Sequence, residues 1–207
     1  MSDNFYREFE NHHRGSRDLI KSRLNIYFPF VKPLLEFYQE AAAIDIGCGR
    51  GEWLELLTEW GFQPLGIDQD AGMLTACHEL GLKVELGDAF AYLRTLPTES
   101  QAIISAFHVV EHISFERLRE LVGEAIRVLK PGGLLILETP NPENLMVATR
   151  NFYLDPTHRK PIPSQLLIFV ADFTGFFRVK ALGLQESKNL INKSKVALRR
   201  FEWVMGV

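Results

Sequence analysis

The sequence lacks the features of several large classes of protein, and each absence argues against one of those classes. Cys48 and Cys77 are the only cysteines among 207 residues, too few for a disulfide framework or a cysteine-rich zinc site. No run of about 18 apolar residues exists, so no transmembrane segment is expected. The amino terminus carries Asp3, Arg7 and Glu8 and lacks the apolar core of a signal peptide. We therefore expect a cytoplasmic protein.

Excess positive charge is also missing. Lys and Arg number 23 against 26 Asp and Glu, which gives a formal net charge of −3. Nucleic-acid binding normally needs a basic face or stripe. The short basic segment formed by Arg14, Arg17, Lys21 and Arg23 contains Asp18 and is typical of a solvated helix face. We expect no nucleic-acid partner, and a single α/β domain in a chain that is 46% hydrophobic.

One segment, AAIDIGCGRGEW, combines an apolar run, a carboxylate and three alternating glycines, and it predicts a strand, a tight loop and a helix start. We call residues 47–51 the glycine loop. Glycines there permit positive φ and let a ligand approach the main chain closely. Glu52 stands where the dinucleotide fingerprint requires its third glycine, and Asp45 would repel a pyrophosphate. The segment therefore predicts a ligand other than a dinucleotide.

Acidic residues end the next two apolar runs. Asp68 follows Gly51 by about 17 residues, close to the ~20 expected of a ribose-binding carboxylate. The run at residues 83–89 contains Gly87-Asp88. Open α/β sheets collect ligand contacts at the carboxyl ends of their strands. We therefore predict that Asp68 accepts from two hydroxyls and that Asp88 accepts from an exocyclic adenine amine.

Apolar, β-favouring runs alternate with helix-period stretches at residues 51–59, 71–79 and 115–128. This is the βαβ pattern of a parallel sheet covered on both faces. Ser114 is the predicted N-cap of the third helix, and Pro131-Gly132-Gly133 is predicted to end it and turn the chain into the fifth strand. We predict an α/β fold with a doubly wound, mostly parallel, Rossmann-like sheet.

The ordered set of motifs resembles the class I S-adenosylmethionine-dependent methyltransferases over residues 41–142, roughly half of the chain. The set consists of the glycine loop, Asp68, Gly87-Asp88, the His108-x-x-Glu111-His112 turn and the Leu-Lys-Pro-Gly-Gly turn at residues 129–133. The resemblance implies S-adenosylmethionine as cofactor, S-adenosylhomocysteine as product and methyl transfer as the reaction.

The resemblance also implies the roles of individual residues. The glycine loop would face the methionine part of the cofactor, Asp68 the ribose, Gln69 the adenosine, Asp88 and Ala89 the adenine, and Phe107 the floor under the sulfonium. Cys48 is expected to be a small filler rather than a nucleophile. The full predicted cofactor set is Arg14, Arg17, Asp45, Gly47, Cys48, Gly49, Gly51, Trp53, Asp68, Gln69, Gly87, Asp88, Ala89, Ala106, Phe107 and His108.

Residues 1–40 are predicted to form a helical cap over the cofactor, ahead of the α/β domain at residues 41–207. Phe28-Pro29-Phe30 and Pro33 mark a break between two helical pieces. In this family such an extension usually closes over the cofactor, where Arg14 or Arg17 would reach the methionine carboxylate through a bidentate contact. The alternative is a merely solvated arginine.

Residues 141–165 form a proline- and asparagine-rich loop, which we expect on the acceptor side of the pocket. Residues 5–7, 14–17 and 151–161 are similar to methyltransferase modules encoded with bacterial surface-polysaccharide glycosyltransferases. This narrower resemblance implies a glycan or lipid-linked glycan acceptor and polysaccharide-assembly partners. The core motifs fit quinone, lipid and small-metabolite methyltransferases equally well.

A hydroxyl acceptor benefits from a base, and His158, His108 and His112 are the candidates, in that order. For each, the alternative is a structural hydrogen bond. Magnesium held by Glu111, His112, Asp155 and His158 is disfavoured because hard cations prefer several oxygen ligands, so no metal is predicted.

Two alternatives to an enzyme of this class, and one doubt about the sheet, stay open. A methyltransferase fold retained as a non-catalytic binding or scaffolding module is the first alternative. A nicotinamide-dependent oxidoreductase is the second, and it would need the missing third glycine. Residues 192–207 are expected to form a polar, basic helix, which would leave the sheet without its last strand.

Overall fold

The computed structural model describes residues 15–185 and 203–206. Its α-helices are α1 (Arg17–Leu24), α2 (Phe28–Val31), α3 (Leu34–Phe37), α4 (Glu52–Trp60), α5 (Leu74–Glu79), α6 (Ala89–Thr95), α7 (Phe115–Val128), α8 (Leu145–Thr149) and α9 (Ser164–Thr174). Its strands are β1 (Ala42–Ile46), β2 (Gln63–Asp68), β3 (Val84–Leu86), β4 (Gln101–Phe107), β5 (Leu129–Pro140), β6 (Leu182–Gln185) and β7 (Trp203–Gly206). Short 3-10 helices lie at Asn25–Tyr27, Val110–His112 and Asn151–Leu154.

The strands are hydrogen-bonded in the order β3-β2-β1-β4-β5-β7-β6. β1 pairs in parallel with β2 and β4, and β2 pairs in parallel with β3. The predicted doubly wound, mostly parallel sheet is therefore confirmed. Two compact units divide the chain: Met1–Ala106 with Arg127–Leu135, and Phe107–Ile126 with Ile136–Val207.

The sheet has the closing strand that the sequence left in doubt. β7 pairs antiparallel with both β5 and β6, so the expected helix over residues 192–207 is wrong at Trp203–Gly206. The remainder of that expectation lies outside the described residues. Trp203 and Val204 favour strands, and the basic residues before them concealed this short signal.

The predicted bounds and N-cap of α7 are confirmed, and the predicted break between the amino-terminal helices is confirmed in part. α7 has the predicted bounds, and the Arg117 N–H donates to Ser114 Oγ over 3.3 Å at its start. The predicted break at Pro33 falls between α2 and α3, whereas Phe28-Pro29-Phe30, which was also predicted to mark it, begins α2. Residues Leu118, Leu121, Val122, Ala125 and Val128 form the buried stripe of α7.

Two other local predictions are wrong. β5 begins at Leu129, directly after α7, so residues 131–133 lie inside the strand rather than before it. The segment at 141–165 is not all loop, since it contains α8 and a 3-10 helix. Asn144 starts α8 by accepting from the Met146 and Val147 N–H groups, and an asparagine in a polar loop also fits a turn.

Among residues 15–185 and 203–206, no helix is long and apolar enough to cross a membrane.

Candidate active site

The glycine loop joins β1 to α4, and its backbone requires glycine. The φ angles are +66° at Gly47, +53° at Gly49 and +79° at Gly51, in the left-handed region that other residues enter only with strain. A Cβ at Gly51 would lie 2.7 Å from both Cys77 Sγ and Leu82 Cδ1. The loop is therefore tightly packed at Gly51, whereas Gly47 is exposed.

Asp68, at the end of β2, holds this loop in place. Its Oδ2 accepts from the Gly49 N–H over 2.9 Å, and its Oδ1 accepts from the Asp70 N–H over 2.9 Å. The Gly47 N–H donates to the carbonyl of Ile67 over 2.8 Å. A carboxylate has about four lone-pair sites, so ribose hydroxyls can still bind to Asp68. That contact stays a prediction.

Asp88 has a structural role that the sequence did not indicate. Its Oδ1 accepts from the N–H groups of Phe90 and Ala91 over 2.7 and 3.1 Å, which makes it the N-cap of α6. Ala89 is buried and Gln69 is exposed. Binding of adenine by Asp88, Gly87 and Ala89 stays a prediction.

Asp45 is buried and belongs to a polar chain inside unit one. Ser105 Oγ donates to Asp45 Oδ1 over 2.7 Å and accepts from the Trp53 indole N–H over 2.9 Å. Trp53 is only 2% exposed, which favours a packing role over the predicted cofactor contact. Ser105 was missed from the sequence, because a serine inside an apolar strand gives no signal of its partners. Ala106, next to it, is fully buried.

Cys48, within the glycine loop, and Cys77 are both buried, in a cluster with Leu54 and Leu74. A hydrogen bond with Cys77, together with burial, raises the pKa of the Cys48 thiol. A neutral, buried thiol is a poor nucleophile, so the prediction of a compact filler at Cys48 is supported.

Arg17 binds α4 in this structure. Its guanidinium lies 2.7 Å from Glu55 Oε2 and donates to the carbonyl of Arg50 over 2.9 Å. Lys21, one turn further along α1, lies 2.6 Å from Glu55 Oε1. These contacts favour a structural arginine, and binding of the methionine carboxylate by Arg17 stays a prediction. Arg14 lies outside the described residues.

In the second unit, His108 directly follows Phe107, the last residue of β4. Its φ of +56° is unusual for a residue with a Cβ. Its Nδ1 lies 3.2 Å from Glu111 Oε1 and its Nε2 lies 3.3 Å from Glu138 Oε1. Desolvation opposes a charge on the ring, but the hydrogen bonds and charges of both glutamates raise the pKa of His108 to about 10. The His108 side chain is 50% exposed. Its raised pKa favours the protonated ring at neutral pH, which disfavours the predicted base role of His108.

Glu111 is fully buried. Burial alone would raise its pKa, but the hydrogen bond and charge of His108 lower the pKa of Glu111 and keep it ionised. Its second oxygen, Oε2, accepts from Thr139 Oγ1 over 3.0 Å. The sequence placed Glu111 in a motif but did not reveal Thr139, which is 28 residues away.

His112 is oriented by a hydroxyl and a carboxylate. Thr157 Oγ1 lies 2.6 Å from Asp155 Oδ1 and 2.8 Å from His112 Nδ1. The single hydroxyl hydrogen goes to the carboxylate, so Nδ1 of His112 donates to the Thr157 oxygen and Nε2 keeps its lone pair. Burial, and the nearby His158, lower the pKa of His112 and favour the neutral ring.

His158 is oriented in the same sense by a backbone carbonyl. Its Nδ1 lies 2.6 Å from the carbonyl oxygen of Phe152, which only accepts, so Nδ1 carries the hydrogen. Nε2 is then the basic nitrogen, and it lies 3.9 Å from Glu111 Oε1 and 3.8 Å from Asp155 Oδ2. The structure thus brings the two remaining candidate bases, His112 and His158, together with ring centroids 4.7 Å apart.

Comparison with known proteins identifies the class. The sequence matches the family model described as a methyltransferase domain over residues 21–167. A crystal structure of a SAM-dependent methyltransferase from Archaeoglobus fulgidus has a TM-score of 0.81 and 38% identity, over 90% of this chain and 80% of that one. The chain therefore belongs to the S-adenosylmethionine-dependent methyltransferases, and S-adenosylmethionine is its cofactor.

Curated relatives are more distant. A probable S-adenosylmethionine-dependent methyltransferase of Mycolicibacterium smegmatis is 26% identical over 68% of this chain and 54% of that protein. A ubiquinone biosynthesis O-methyltransferase of Bradyrhizobium sp. is 35% identical over 47% of this chain and 39% of that protein. The chain spans about half the length of the curated relatives it matches. None of these names refers to polysaccharides, so the narrower resemblance stays a prediction.

Proposed function

We propose that the protein transfers the methyl group of S-adenosylmethionine to a hydroxyl of a small-molecule, glycan or lipid-linked glycan acceptor. The observation that carries the hydroxyl assignment is the pair of oriented imidazoles, since one ring nitrogen each of His112 and His158 and an oxygen of Glu111 lie within 4.8 Å of one another, and Nδ1 of each ring carries its hydrogen. A hydroxyl must lose its proton on methylation, and such a cluster can accept or stabilise that proton. The similarity to an O-methyltransferase supports the same assignment.

The reaction is an in-line displacement in which the acceptor oxygen attacks the methyl carbon and positive charge leaves the sulfur. Alignment of the two reactants supplies up to about 7–11 kcal/mol of the barrier, whereas a positioned base contributes ~10²–10⁴-fold in rate. In this proposal the glycine loop binds the methionine part of the cofactor and Asp68 binds the ribose, and together they position the sulfonium. Either His112 or His158 accepts the hydroxyl proton, while protonated His108 holds Glu111 in place.

Two measurements test the proposal. Isothermal titration of the folded protein with S-adenosylmethionine and S-adenosylhomocysteine should give saturable binding, and absence of binding would refute it. Extracts incubated with methyl-labelled cofactor and the protein should then show label in a hydroxyl-bearing product by mass spectrometry. Label in a polysaccharide fraction would establish the glycan acceptor, and label only on nitrogen would overturn the hydroxyl assignment.

Variants then test the histidine cluster. His158→Ala should lower turnover by ~10²–10⁴-fold with little change in cofactor binding. The matched control is His78→Ala, because His78 is an exposed histidine of α5 in the other unit. Equal turnover in both variants would remove His158 from the mechanism. Cofactor binding without turnover on any extract would favour the non-catalytic module.

A further inference from the structure

One oxygen of Glu111 and one ring nitrogen each of His112 and His158 lie within 4.8 Å of one another. From this cluster we propose that the three residues form a binding site for a divalent first-row transition-metal ion, such as Zn²⁺, Co²⁺ or Mn²⁺. The sequence had disfavoured a magnesium site here, because the donors are too poor in oxygen. The structure favours a different kind of ion, because two nitrogens and one carboxylate oxygen suit metals that accept imidazole.

The hydrogen bonds of the two histidines occupy Nδ1 of each ring, and Oε1 of Glu111, which lies 3.2 Å from His108 Nδ1, keeps a further lone pair. In His112 and His158 the Nδ1 atom carries the hydrogen, because each faces an oxygen that accepts from it. Both Nε2 atoms therefore have a lone pair available in the neutral ring, which is the form that binds metals. Glu111 is fully buried.

Each proposed ligand is also fixed by a partner behind it. Thr157 and Asp155 orient His112, the carbonyl of Phe152 orients His158, and Thr139 binds the second oxygen of Glu111. Metal-binding histidines almost always donate their other ring N–H to such a partner, and ligating carboxylates are likewise hydrogen-bonded. All three proposed ligands therefore have a supporting hydrogen bond, and this observation is independent of the short distances between them.

The distances fit a site that tightens on binding. Ligands at about 2.0–2.1 Å from a tetrahedral ion lie about 3.3 Å from one another. His158 Nε2 lies 3.9 Å from Glu111 Oε1, so a contraction of roughly 0.5–1.5 Å across the cluster is needed, within reach of small side-chain rotations. Two histidines and one glutamate are also the protein ligands of some catalytic zinc sites, which keep a position open for substrate.

The consequence for catalysis rests on the proposed function. An acceptor oxygen in the open position would bind the ion, and the ion would lower the pKa of that hydroxyl. His112 and His158 would then act as ligands in place of the base role proposed above, and the hydroxyl proton would leave to solvent water. Metal binding itself does not depend on methyl transfer, so it can be tested alone.

The test uses tag-free protein of the full sequence, cleared of metal by chelation. Titration with Co²⁺, followed by its visible absorption and by calorimetry, should show one equivalent bound. His112→Ala and His158→Ala should each weaken this binding at least ~10-fold, and Thr157→Val, which removes only the positioning contact, should weaken it ~10–100-fold. His78→Ala, and a variant with both His12 and His13 replaced by Ala, should bind like the wild type.

Several results would overturn the proposal: no saturable Co²⁺, Zn²⁺ or Mn²⁺ binding by the wild type, unchanged binding in both His112→Ala and His158→Ala, or Mg²⁺ binding as tight as that of Co²⁺. Thermal unfolding by circular dichroism identifies a variant that fails to fold, and Thr157→Val then supplies the result. Cofactor titration of the same preparation separates the two proposals. Metal binding without cofactor binding refutes the proposed function alone, and cofactor binding without metal binding refutes this inference alone.

Discussion

Replacement of Gly51 by alanine should destabilise the protein for two separable reasons. The residue has a φ of +79°, and an added Cβ would lie 2.7 Å from both Cys77 Sγ and Leu82 Cδ1. Neither neighbour retreats freely, because Cys77 is fully buried and Leu82 packs against the same apolar cluster. Gly51 also precedes the first residue of α4, so any shift displaces the start of that helix.

The magnitude follows from the two contributions. A left-handed residue with a Cβ costs roughly 1–2 kcal/mol. Overpacking of a close-packed site costs about 1–3 kcal/mol more. The free energy of unfolding should thus fall by about 2–5 kcal/mol, which corresponds to a decrease in Tm of about 4–20 °C for a chain of this length.

The opposite end of the same helix supplies the control. Gly61 follows α4 with a φ of +98°, and nothing lies within 4 Å of a Cβ added there. Gly61→Ala should therefore show only the backbone contribution, about 1–2 kcal/mol. Its affinity for S-adenosylmethionine should be unchanged, whereas Gly51→Ala should bind the cofactor at least ~10-fold more weakly, a loss of about 1.4 kcal/mol.

Urea unfolding followed by circular dichroism, with calorimetric titration of the cofactor, measures both quantities. Equal stabilities of Gly51→Ala and Gly61→Ala would refute the steric part of the reasoning. A Gly51→Ala protein that binds the cofactor normally would show that the packing of Gly51 against Cys77 and Leu82 does not affect cofactor binding.

Three further predictions concern the same unit. Asp68→Asn should cost about 1–3 kcal/mol in urea unfolding and weaken cofactor binding in calorimetry, because an amide NH₂ would face one of two backbone N–H donors; normal binding would contradict the role of Asp68. Ser105→Ala should lower the free energy of unfolding by about 1–3 kcal/mol, since a buried indole N–H and a buried carboxylate both lose its hydroxyl; an unchanged midpoint would refute this. Desolvation raises the pKa of Glu55, but hydrogen bonds from Lys21 and Arg17 outweigh it and lower the pKa below 4.5. Glu55→Gln should then be less stable than the wild type at pH 7 by about 0.2–1 kcal/mol, with the difference vanishing as the pH falls through that lowered pKa; a difference that persists at pH 2 would contradict the assignment.

The parts of the fold that the sequence predicted are those encoded locally. β1, the glycine loop and the start of α4 follow one another within 12 residues, and α7 carries its own N-cap and apolar stripe. The helix predicted over residues 192–207 was wrong at β7 because only two strand-favouring residues, Trp203 and Val204, follow a basic segment. Their partners in β5 lie more than 60 residues earlier in the sequence. Strand assignment by local pattern cannot detect a short edge partner of that kind.

The sequence predicted which histidines are candidates, but it did not predict their protonation or their tautomers. The motif at residues 108–112 and the loop at residues 155–160 gave the three histidines, but protonation depends on contacts that only the fold creates. Glu138 comes from β5 and raises the pKa of His108, while the carbonyl of Phe152 selects the tautomer of His158. The two glutamates that contact His108 therefore disfavour the base role that the sequence had suggested for it.

Asp68 shows how one side chain can satisfy both the structural and the functional interpretation of a motif. Its distance from Gly51 suggested a ribose ligand, and its position in the structure shows two backbone N–H groups bound to the carboxylate. One of those donors belongs to Gly49 in the glycine loop. A carboxylate fixed in this way needs no reorganisation before it accepts hydroxyls, and reduced ordering on binding increases affinity. The same hydrogen bond makes the shape of the loop depend on Asp68, so loss of the charge should disturb both the glycine loop and the predicted ribose contact.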